Sequence, residues 1–190
     1  EESSPASGET YEVGLVQLMD HTSLNQIRDS LMAELDALGY GDRINMDYQN
    51  AQGEQTNLNS ISQKFAGDQK DLIISIATPA ALSAAAAAPD IPQDFSAVTD
   101  PVSVKLVEIL DAPEGNITGT SDAIPVDQVF TLMQKLTPNV KTVGLVYNLG
   151  EPNSVSVIEQ AKAYLEANGF SYVEATVTNV GEVQQAAQSL

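Results

Sequence analysis

The feature that most constrains the fold is a regular alternation of short apolar runs with segments of helical periodicity. The clearest example lies in residues 71–100, where the apolar runs 72–77 and 95–98 each end in a small polar turn that opens a helical pattern. Strands that alternate with helices in this way predict a mostly parallel sheet covered by helices on both faces. Ligands bind beyond the carboxyl ends of the strands in such sheets, so these two turns are where we expect a pocket.

The same alternation extends along the rest of the chain and suggests two lobes. A helix is expected over 102–110, and after a turn-rich linker at 111–116 the pattern restarts with strands near 142–147 and 170–177. The interpretation is a flexible polar leader over 1–10, a first α/β lobe over 11–118 and a second α/β lobe over 119–190. The second lobe is expected to be partial, because two strands make a poor independent sheet.

Composition narrows the class of function. The formal charge of −18, from 8 basic and 26 acidic residues, argues against binding to nucleic acid or to an anionic membrane surface. The sequence has no cysteine and a single histidine, so thiolate chemistry, disulfides and a histidine cluster for zinc are excluded. No apolar run approaches the ~20 residues that span a bilayer. We therefore expect neither a metal nor another cofactor.

The two turns are candidates for binding rather than for catalysis. Thr78 stands where a strand leads into a helix N-terminus, which favours an anion such as a carboxylate, although a simple helix cap is the alternative. Asp100 either caps the next helix or pairs with a ligand ammonium, and Asp122 is either an ordinary turn residue or part of a site. His21 lines a pocket or merely starts a helix. Because no nucleophile motif or phosphate-binding glycine loop is present, an enzyme is not expected.

Six segments, taken in order, carry a resemblance to a known family. They are YQNAQG at 48–53, DLIISIATPA at 71–80, SAVTDP at 96–101, GNITGTSD at 115–122, TVGLVYN at 142–148 and EPNS at 151–154. Together they resemble the substrate-binding lipoproteins of ABC importers related to the tryptophan-binding protein. The resemblance implies the periplasmic-binding-protein type I fold, in which each lobe is a three-layer, Rossmann-like α/β unit around a parallel sheet.

The resemblance also implies a mechanism and a set of ligand-binding positions. Two lobes close on a small solute, commonly an aromatic amino acid, and the closed form is recognised by an ABC permease. The implied ligand-binding residues are Gln17, His21, Thr78, Pro79, Ala80, Thr99, Asp100, Ser121, Asp122, Tyr147, Asn148, Asn153 and Ser154. By analogy, the Thr78 turn holds the ligand carboxylate and Asp122 holds the ammonium, an arrangement that charge-assisted hydrogen bonds favour.

The implied location is extracytoplasmic, either as a bacterial cell-surface lipoprotein or in the periplasm, with a lipid anchor as the only membrane attachment. The sequence departs from the family pattern at Gln93 and Asp94, where apolar strand residues are usual, so this strand is expected to be short or at a sheet edge. A ligand-sensing domain of a receptor or regulator with the same fold, without transport, is the main alternative. A hydrolase-like enzyme is a third interpretation, disfavoured by the missing nucleophile motif.

Overall fold

The computed structural model describes residues 10–113 and 115–190. The strands are β1 (Tyr11–Gln17), β2 (Ile44–Asn50), β3 (Leu72–Ile76), β4 (Gln93–Val98), β5 (Ile117–Ser121), β6 (Thr142–Asn148) and β7 (Ser171–Val177). The helices are α1 (Thr22–Ala37), α2 (Gln55–Gly67), α3 (Thr78–Ala87), α4 (Val126–Leu136), α5 (Pro152–Ala167) and α6 (Val183–Ser189). The leader predicted for residues 1–10 lies, apart from Thr10, outside the described residues. None of the helices in the described ranges is long and apolar enough to cross a membrane.

Contacts divide the chain into two compact units, one ending at Asp122 and the other beginning at Ala123. We call them the first and second units. The sequence placed the division after residue 118, whereas β5 pairs with β4 over 117–121 and so belongs to the first sheet. The sequence hid this strand because Gly115 precedes it and Gly119 lies within it, and glycine is depleted in strands.

The first unit contains a five-stranded sheet in the order β2-β1-β3-β4-β5, with parallel pairing throughout. This arrangement confirms the predicted α/β class with a parallel sheet. The strand order reverses between β1 and β3, because β2 lies on one side of β1 and the later strands lie on the other. The carboxyl ends of β1 and β3 therefore form the topological switch point, where open α/β sheets bind their ligands.

Both faces of this sheet are covered where β1 and β3 lie, as a parallel sheet requires. On one face, the buried side chains of Val16, Phe65 and Ile73 pack with the alanines of α3. On the other face, Leu15 and Ile74 pack with the apolar side of α1. Alternate residues of β1 point to opposite faces, which explains why consecutive residues of this strand are buried.

The second unit has a two-stranded sheet, in which β6 and β7 pair in parallel. Its core consists of Phe130 from α4, Leu145 from β6, and Ala161 and Leu165 from α5. The rings of Phe130 and Tyr164 stack with their centroids 5.3 Å apart. Helix packing therefore supplies most of the apolar contact around these two strands.

The helix predicted over 102–110 is wrong, since these residues form a series of turns. Lys105 has a φ of 60°, which interrupts any right-handed helix at that position. Leu106 and Val107 both donate their backbone N–H to the Pro101 carbonyl, at 2.9 and 3.3 Å. Both side chains are buried against β4, and this tertiary burial outweighs the helical spacing of the local sequence.

The expectation that the strand at Gln93 and Asp94 is short or at an edge is also wrong. β4 spans six residues and pairs with β3 on one side and β5 on the other. Gln93 is buried, and its amide donates to the carbonyls of Ala88 at 2.8 Å and Ala84 at 3.3 Å. A polar residue is accepted within this strand because it satisfies carbonyls at the end of α3. Asp94 is half-buried, and burial raises the pKa of its carboxyl group.

Candidate functional site

The carboxyl edge of the first sheet brings the predicted turns next to one another. The backbone N–H of Leu18, just past β1, donates to the Ile76 carbonyl at the end of β3, at 3.3 Å. The N–H of Ala77 donates to the Ser96 carbonyl near the end of β4, at 3.0 Å. The turns after β1, β3 and β4 are thus tied together around the topological switch point.

The turn between β3 and α3 combines backbone strain with an unpaired polar atom. Ala77 occupies the N-cap position with φ 84° and ψ 152°, a conformation that is rare for residues other than glycine. Thr78 is the first residue of α3 and is only 1% exposed. Its hydroxyl has no hydrogen-bond partner among the described residues, so the side chain does not cap the helix.

This combination is typical of a binding site. A buried polar group without a partner costs about 1–3 kcal/mol, so it calls for an explanation. The first N–H groups of a helix have no intrahelical acceptor, and together with the helix dipole they favour an anion. Pro79 has no N–H, and the N–H of Ala80 donates to the Ala77 carbonyl at 3.1 Å. The turn can therefore offer the Thr78 hydroxyl and the positive end of the helix dipole to a carboxylate.

The structure places Gln17 and His21 at the same edge, but with different surroundings. Gln17 is fully buried at the end of β1, and its amide donates to the Met19 carbonyl at 2.7 Å and to Asn25 Oδ1 at 2.6 Å. His21 is exposed and is the N-cap of α1, where its Nδ1 accepts from the Ser23 N–H at 3.3 Å. When the ring is neutral, Nε2 therefore carries the proton and is available as a donor.

Thr99 and Asp100 follow β4 and lie beside the end of β5. The Ser121 hydroxyl donates to the Thr99 carbonyl at 3.2 Å. Asp100 Oδ1 accepts from the Ser103 N–H at 3.1 Å, so the carboxylate stabilises the turn that replaces the predicted helix. Asp122 is exposed at the end of the first unit. The first unit thus supplies Ser121 and Asp122, which the sequence interpretation assigned to the second lobe.

In the second unit, the polar residues after β6 bond mainly to one another. Asn148 Nδ2 donates to Glu151 Oε1 at 2.9 Å, and the Ser154 hydroxyl donates to Glu151 Oε2 at 3.2 Å. Asn153 Oδ1 is buried and has no partner within the described part of the chain. Glu151 is therefore the centre of this cluster, at the N-terminus of α5.

Tyr147 precedes this cluster on β6, and its hydroxyl is already engaged. It donates to Glu174 Oε2 on β7 at 3.1 Å. This hydrogen bond to a carboxylate raises the pKa of the Tyr147 phenol, because the neutral form is the donor. The ring, rather than the hydroxyl, is then the part of Tyr147 that is free to meet a ligand.

Sequence reasoning missed several polar residues around these turns. Tyr48 at the end of β2 accepts a hydrogen bond from Arg28 at 3.0 Å and donates to Gln17 at 3.3 Å. Asn25 also bonds to Gln17, from the first turns of α1. Tyr48 stands in one of the segments that carry the family resemblance, which was the available signal. Asn25 had no comparable signal, since a lone Asn in a helix carries no recognisable pattern.

The comparison with sequence families gives an independent result. Residues 12–190 match the family described as ABC transporter substrate binding protein. A curated relative, the tyrosine-binding protein of Clostridioides difficile (strain R20291), is 41% identical over 180 residues, which are 94% of this chain and 52% of that protein. The chain thus spans about half the length of this relative.

Two solved structures are similar over nearly the whole chain. One is a conserved domain protein from Vibrio cholerae, 40% identical with a TM-score of 0.91 over 95% of this chain and 62% of that one. The other is the ABC domain from Streptococcus pneumoniae in complex with L-Trp, 35% identical with a TM-score of 0.90 over the same shares. These likenesses confirm the resemblance and the fold class that the sequence predicted. The family is one of substrate-binding proteins rather than enzymes, and this chain belongs to the ABC transporter substrate-binding protein family.

Proposed function

We propose that the protein captures a small aromatic amino acid outside the cytoplasm and delivers it to the permease of an ABC importer. The family supports solute capture, and the names of the relatives support the ligand class, since one is called a tyrosine-binding protein and another holds L-Trp. The observation that carries the proposal is the buried, unpartnered hydroxyl of Thr78 at the start of α3. A ligand carboxylate would give this hydroxyl the acceptor that it lacks.

The chemistry of the edge matches the two charged ends of an amino acid. The carboxylate accepts from the Thr78 hydroxyl and lies beside the N-terminus of α3, where the helix dipole is favourable. The ammonium pairs with Asp122, whose carboxylate is exposed beside the end of β5. His21 and Thr99 line the remaining part of the same edge. Charge-assisted hydrogen bonds at both ends select zwitterionic solutes over neutral aromatic ones.

The proposal extends to the second unit. Its proposed solute-binding residues are Tyr147, Asn148, Asn153 and Ser154, and the unpartnered Asn153 Oδ1 supports this role. A solute that binds the closed state better than the open one shifts the population toward closure. The permease then recognises the closed state.

The proposed action is binding without turnover, in an extracytoplasmic setting. Within the described ranges, the hydroxyl of Thr78 has no base beside it that could activate it as a nucleophile. A cell-surface lipoprotein or a periplasmic protein would both fit this role. The alternative of a sensing domain without transport is not favoured, because the matching family is one of transporter components.

Calorimetry of the full-length natural protein with each of the common amino acids tests this proposal. We expect Trp, Tyr or Phe to bind, and Leu, the matched non-aromatic control, to bind much more weakly. Binding of a non-aromatic solute in preference to all three would overturn the ligand class. Uptake of the bound solute by cells, measured with and without the permease, then separates transport from sensing.

A further inference from the structure

A buried hydrogen-bond network underlies the turn that carries His21, and it centres on Gln17. The side chain of Gln17 is 0% exposed, and both of its N–H donors are used inside the chain, on the Met19 carbonyl and on Asn25 Oδ1. The Met19 carbonyl is only an acceptor, which fixes the orientation of the Gln17 amide. Gln17 therefore has no donor left for a ligand, although the sequence marked it as a ligand contact.

Tyr48 connects this buried amide to the neighbouring elements. Its hydroxyl donates to Gln17 Oε1 at 3.3 Å and accepts from Arg28 Nη1 at 3.0 Å and from Asn50 Nδ2 at 3.3 Å. The Arg28 guanidinium also lies over the Tyr48 ring, 5.0 Å from its centroid. One phenol hydroxyl thus joins β1, β2 and α1 at the carboxyl edge of the sheet.

The network reaches the turn over residues 18–21 by further bonds. Asn50 Nδ2 donates to Asp20 Oδ1 at 3.1 Å, and the Gly53 N–H donates to the Leu18 carbonyl at 2.8 Å. The N–H of Leu18 in turn donates to the Ile76 carbonyl, directly before the strained turn at Ala77. The position of residues 18–21 is therefore coupled by hydrogen bonds to the turn that leads to Thr78.

We propose that Tyr48 is a positioning residue, which acts through Gln17 to hold residues 18–21 in the conformation that binds the solute. Gln17 acts in the same way and does not touch the ligand. This inference rests on the proposed function, and it names residues that set the affinity of that site without lining it. Removing the Tyr48 hydroxyl leaves Gln17 Oε1, Arg28 and Asn50 without their shared partner.

The test compares the full-length protein with its Tyr48→Phe variant. We expect the Kd for the aromatic amino acid to rise roughly three- to tenfold, as loss of a hydrogen bond within a network predicts. Amide hydrogen exchange at residues 18–21 is expected to become faster, while exchange in β3 and β7 is unchanged. The matched control is Tyr172→Phe, which removes a phenol hydroxyl that donates to Glu166 at 2.8 Å in the second unit. The control is expected to keep the wild-type Kd.

A double-variant cycle shows whether the effect passes through Gln17. Asn25→Ala removes the other side-chain partner of Gln17, so the Tyr48→Phe and Asn25→Ala effects on Kd should be clearly non-additive. An unchanged Kd in Tyr48→Phe, or an equal rise in Tyr172→Phe, would overturn the inference. If the wild-type protein binds no aromatic amino acid, the proposed function fails. Faster exchange at residues 18–21 in Tyr48→Phe would even then support the positioning role, and unchanged exchange would refute it.

Discussion

The two units differ most at the carboxyl edges of their sheets. In the first unit, the non-glycine residues Gln52, Ala77 and Ala97 adopt positive φ angles in or just after β2, β3 and β4. In the second unit, no described residue other than glycine has a positive φ, and the groups after β6 bond to each other around Glu151. Strain of this kind persists only where surrounding structure enforces it. The carboxyl edge of the first sheet is therefore more rigidly preformed than that of the second.

The sheets differ as much as their edges. Five paired strands with helices on both faces enclose several clusters of buried side chains in the first unit. The second unit has a two-stranded sheet and a single cluster, and α4 exposes Val129, Leu132 and Leu136 on its outer side. The comparison indicates that a site with a strained backbone needs a well-packed sheet beneath it. Burial of apolar side chains in that sheet offsets the free-energy cost of the strain.

Removing a large core side chain should have the largest effect and should separate the units. Phe65 is 0% exposed and its ring lies against Gly14, so Phe65→Ala is expected to lose about 3–5 kcal/mol of unfolding free energy. Leu165→Ala is the counterpart in the second unit and should lose about 2–5 kcal/mol. Urea denaturation measures both losses.

Hydrogen exchange shows where each of these losses falls. Phe65→Ala should speed exchange in β1 and β3, and Leu165→Ala should speed it in β6 and β7. Equal acceleration of both sheets by either variant would contradict the division into two units.

Adding a methyl group to β5 tests whether that strand belongs to the first sheet. The Cβ of an alanine at Gly119 would collide with the Phe95 carbonyl oxygen and ring, so Gly119→Ala is expected to lose about 1–3 kcal/mol. Gly67→Ala is the matched control, because a Cβ there meets nothing within 4 Å. Thermal unfolding of the two variants should give a lower Tm only for Gly119→Ala. A neutral Gly119→Ala would mean that β5 does not lie against β4.

Relieving the strain at the β3–α3 turn should stabilise the protein. Glycine tolerates the φ of 84° at Ala77, so Ala77→Gly is expected to gain about 1 kcal/mol of unfolding free energy. Ala161→Gly, at a buried helical position of α5, should instead lose about 1 kcal/mol. Denaturation midpoints measure both changes. A loss of stability in Ala77→Gly would show that the relieved strain is smaller than the conformational entropy that glycine loses on folding.

The smallest expected effects on the free energy of unfolding are those of pH. The first unit should lose stability as the pH falls, and the second unit should lose it as the pH rises. In the first unit, the hydrogen bond from Lys64, followed by that from Gln49, holds the pKa of the Asp47 carboxyl below its ordinary 3.8. The charged form is thus favoured by folding, and this contribution is present above pH 3.8 and lost as the pH falls through the lower, folded-state pKa. In Asp47→Asn, the free energy of unfolding should therefore fall less steeply as the pH is lowered into the acid range.

In the second unit, hydrogen bonds to Glu174 and Glu166 raise the pKa values of the Tyr147 and Tyr172 phenols above their ordinary 10.0. The neutral form is favoured by folding, so this contribution is present below pH 10.0 and lost as the pH rises through the raised pKa. In Tyr147→Phe, the free energy of unfolding should therefore fall less steeply as the pH is raised into the alkaline range. Urea midpoints measured across the pH range test both variants. A change in the alkaline range rather than in the acid range for Asp47→Asn would contradict this account.

Apart from β5, which was missed, and the helix expected over 102–110, the order of strands and helices was predictable from the sequence, because apolar runs and helical spacing recur with clear turn residues between them. The errors arose where tertiary contacts overrule local pattern. Leu106 and Val107 are buried side by side rather than on one helical face, and Gln93 is buried because it bonds to the end of α3. Neither contact leaves a trace in the local sequence.

The candidate site was predictable in position but not in detail. Strand ends predicted the turns at Thr78 and Thr99, since parallel strands finish at one edge of the sheet. Which hydrogen bonds each side chain makes depends on partners that are distant in the sequence. Tyr48 and Gln17 are separated by 31 positions, and their hydrogen bond could not be inferred from either neighbourhood.

The most direct test of the central claim measures both stability and affinity in Thr78→Val. Because the Thr78 hydroxyl has no partner in the described residues, its loss should leave the ligand-free stability unchanged or slightly higher. The Kd for the aromatic amino acid should rise by about tenfold or more, as loss of a hydrogen bond to a charged group predicts. Ser62→Ala is the control, since its buried hydroxyl donates to Ser83 at 3.2 Å, and it should lose stability but keep its affinity. A Thr78→Val variant that binds as tightly as the wild type would contradict the account.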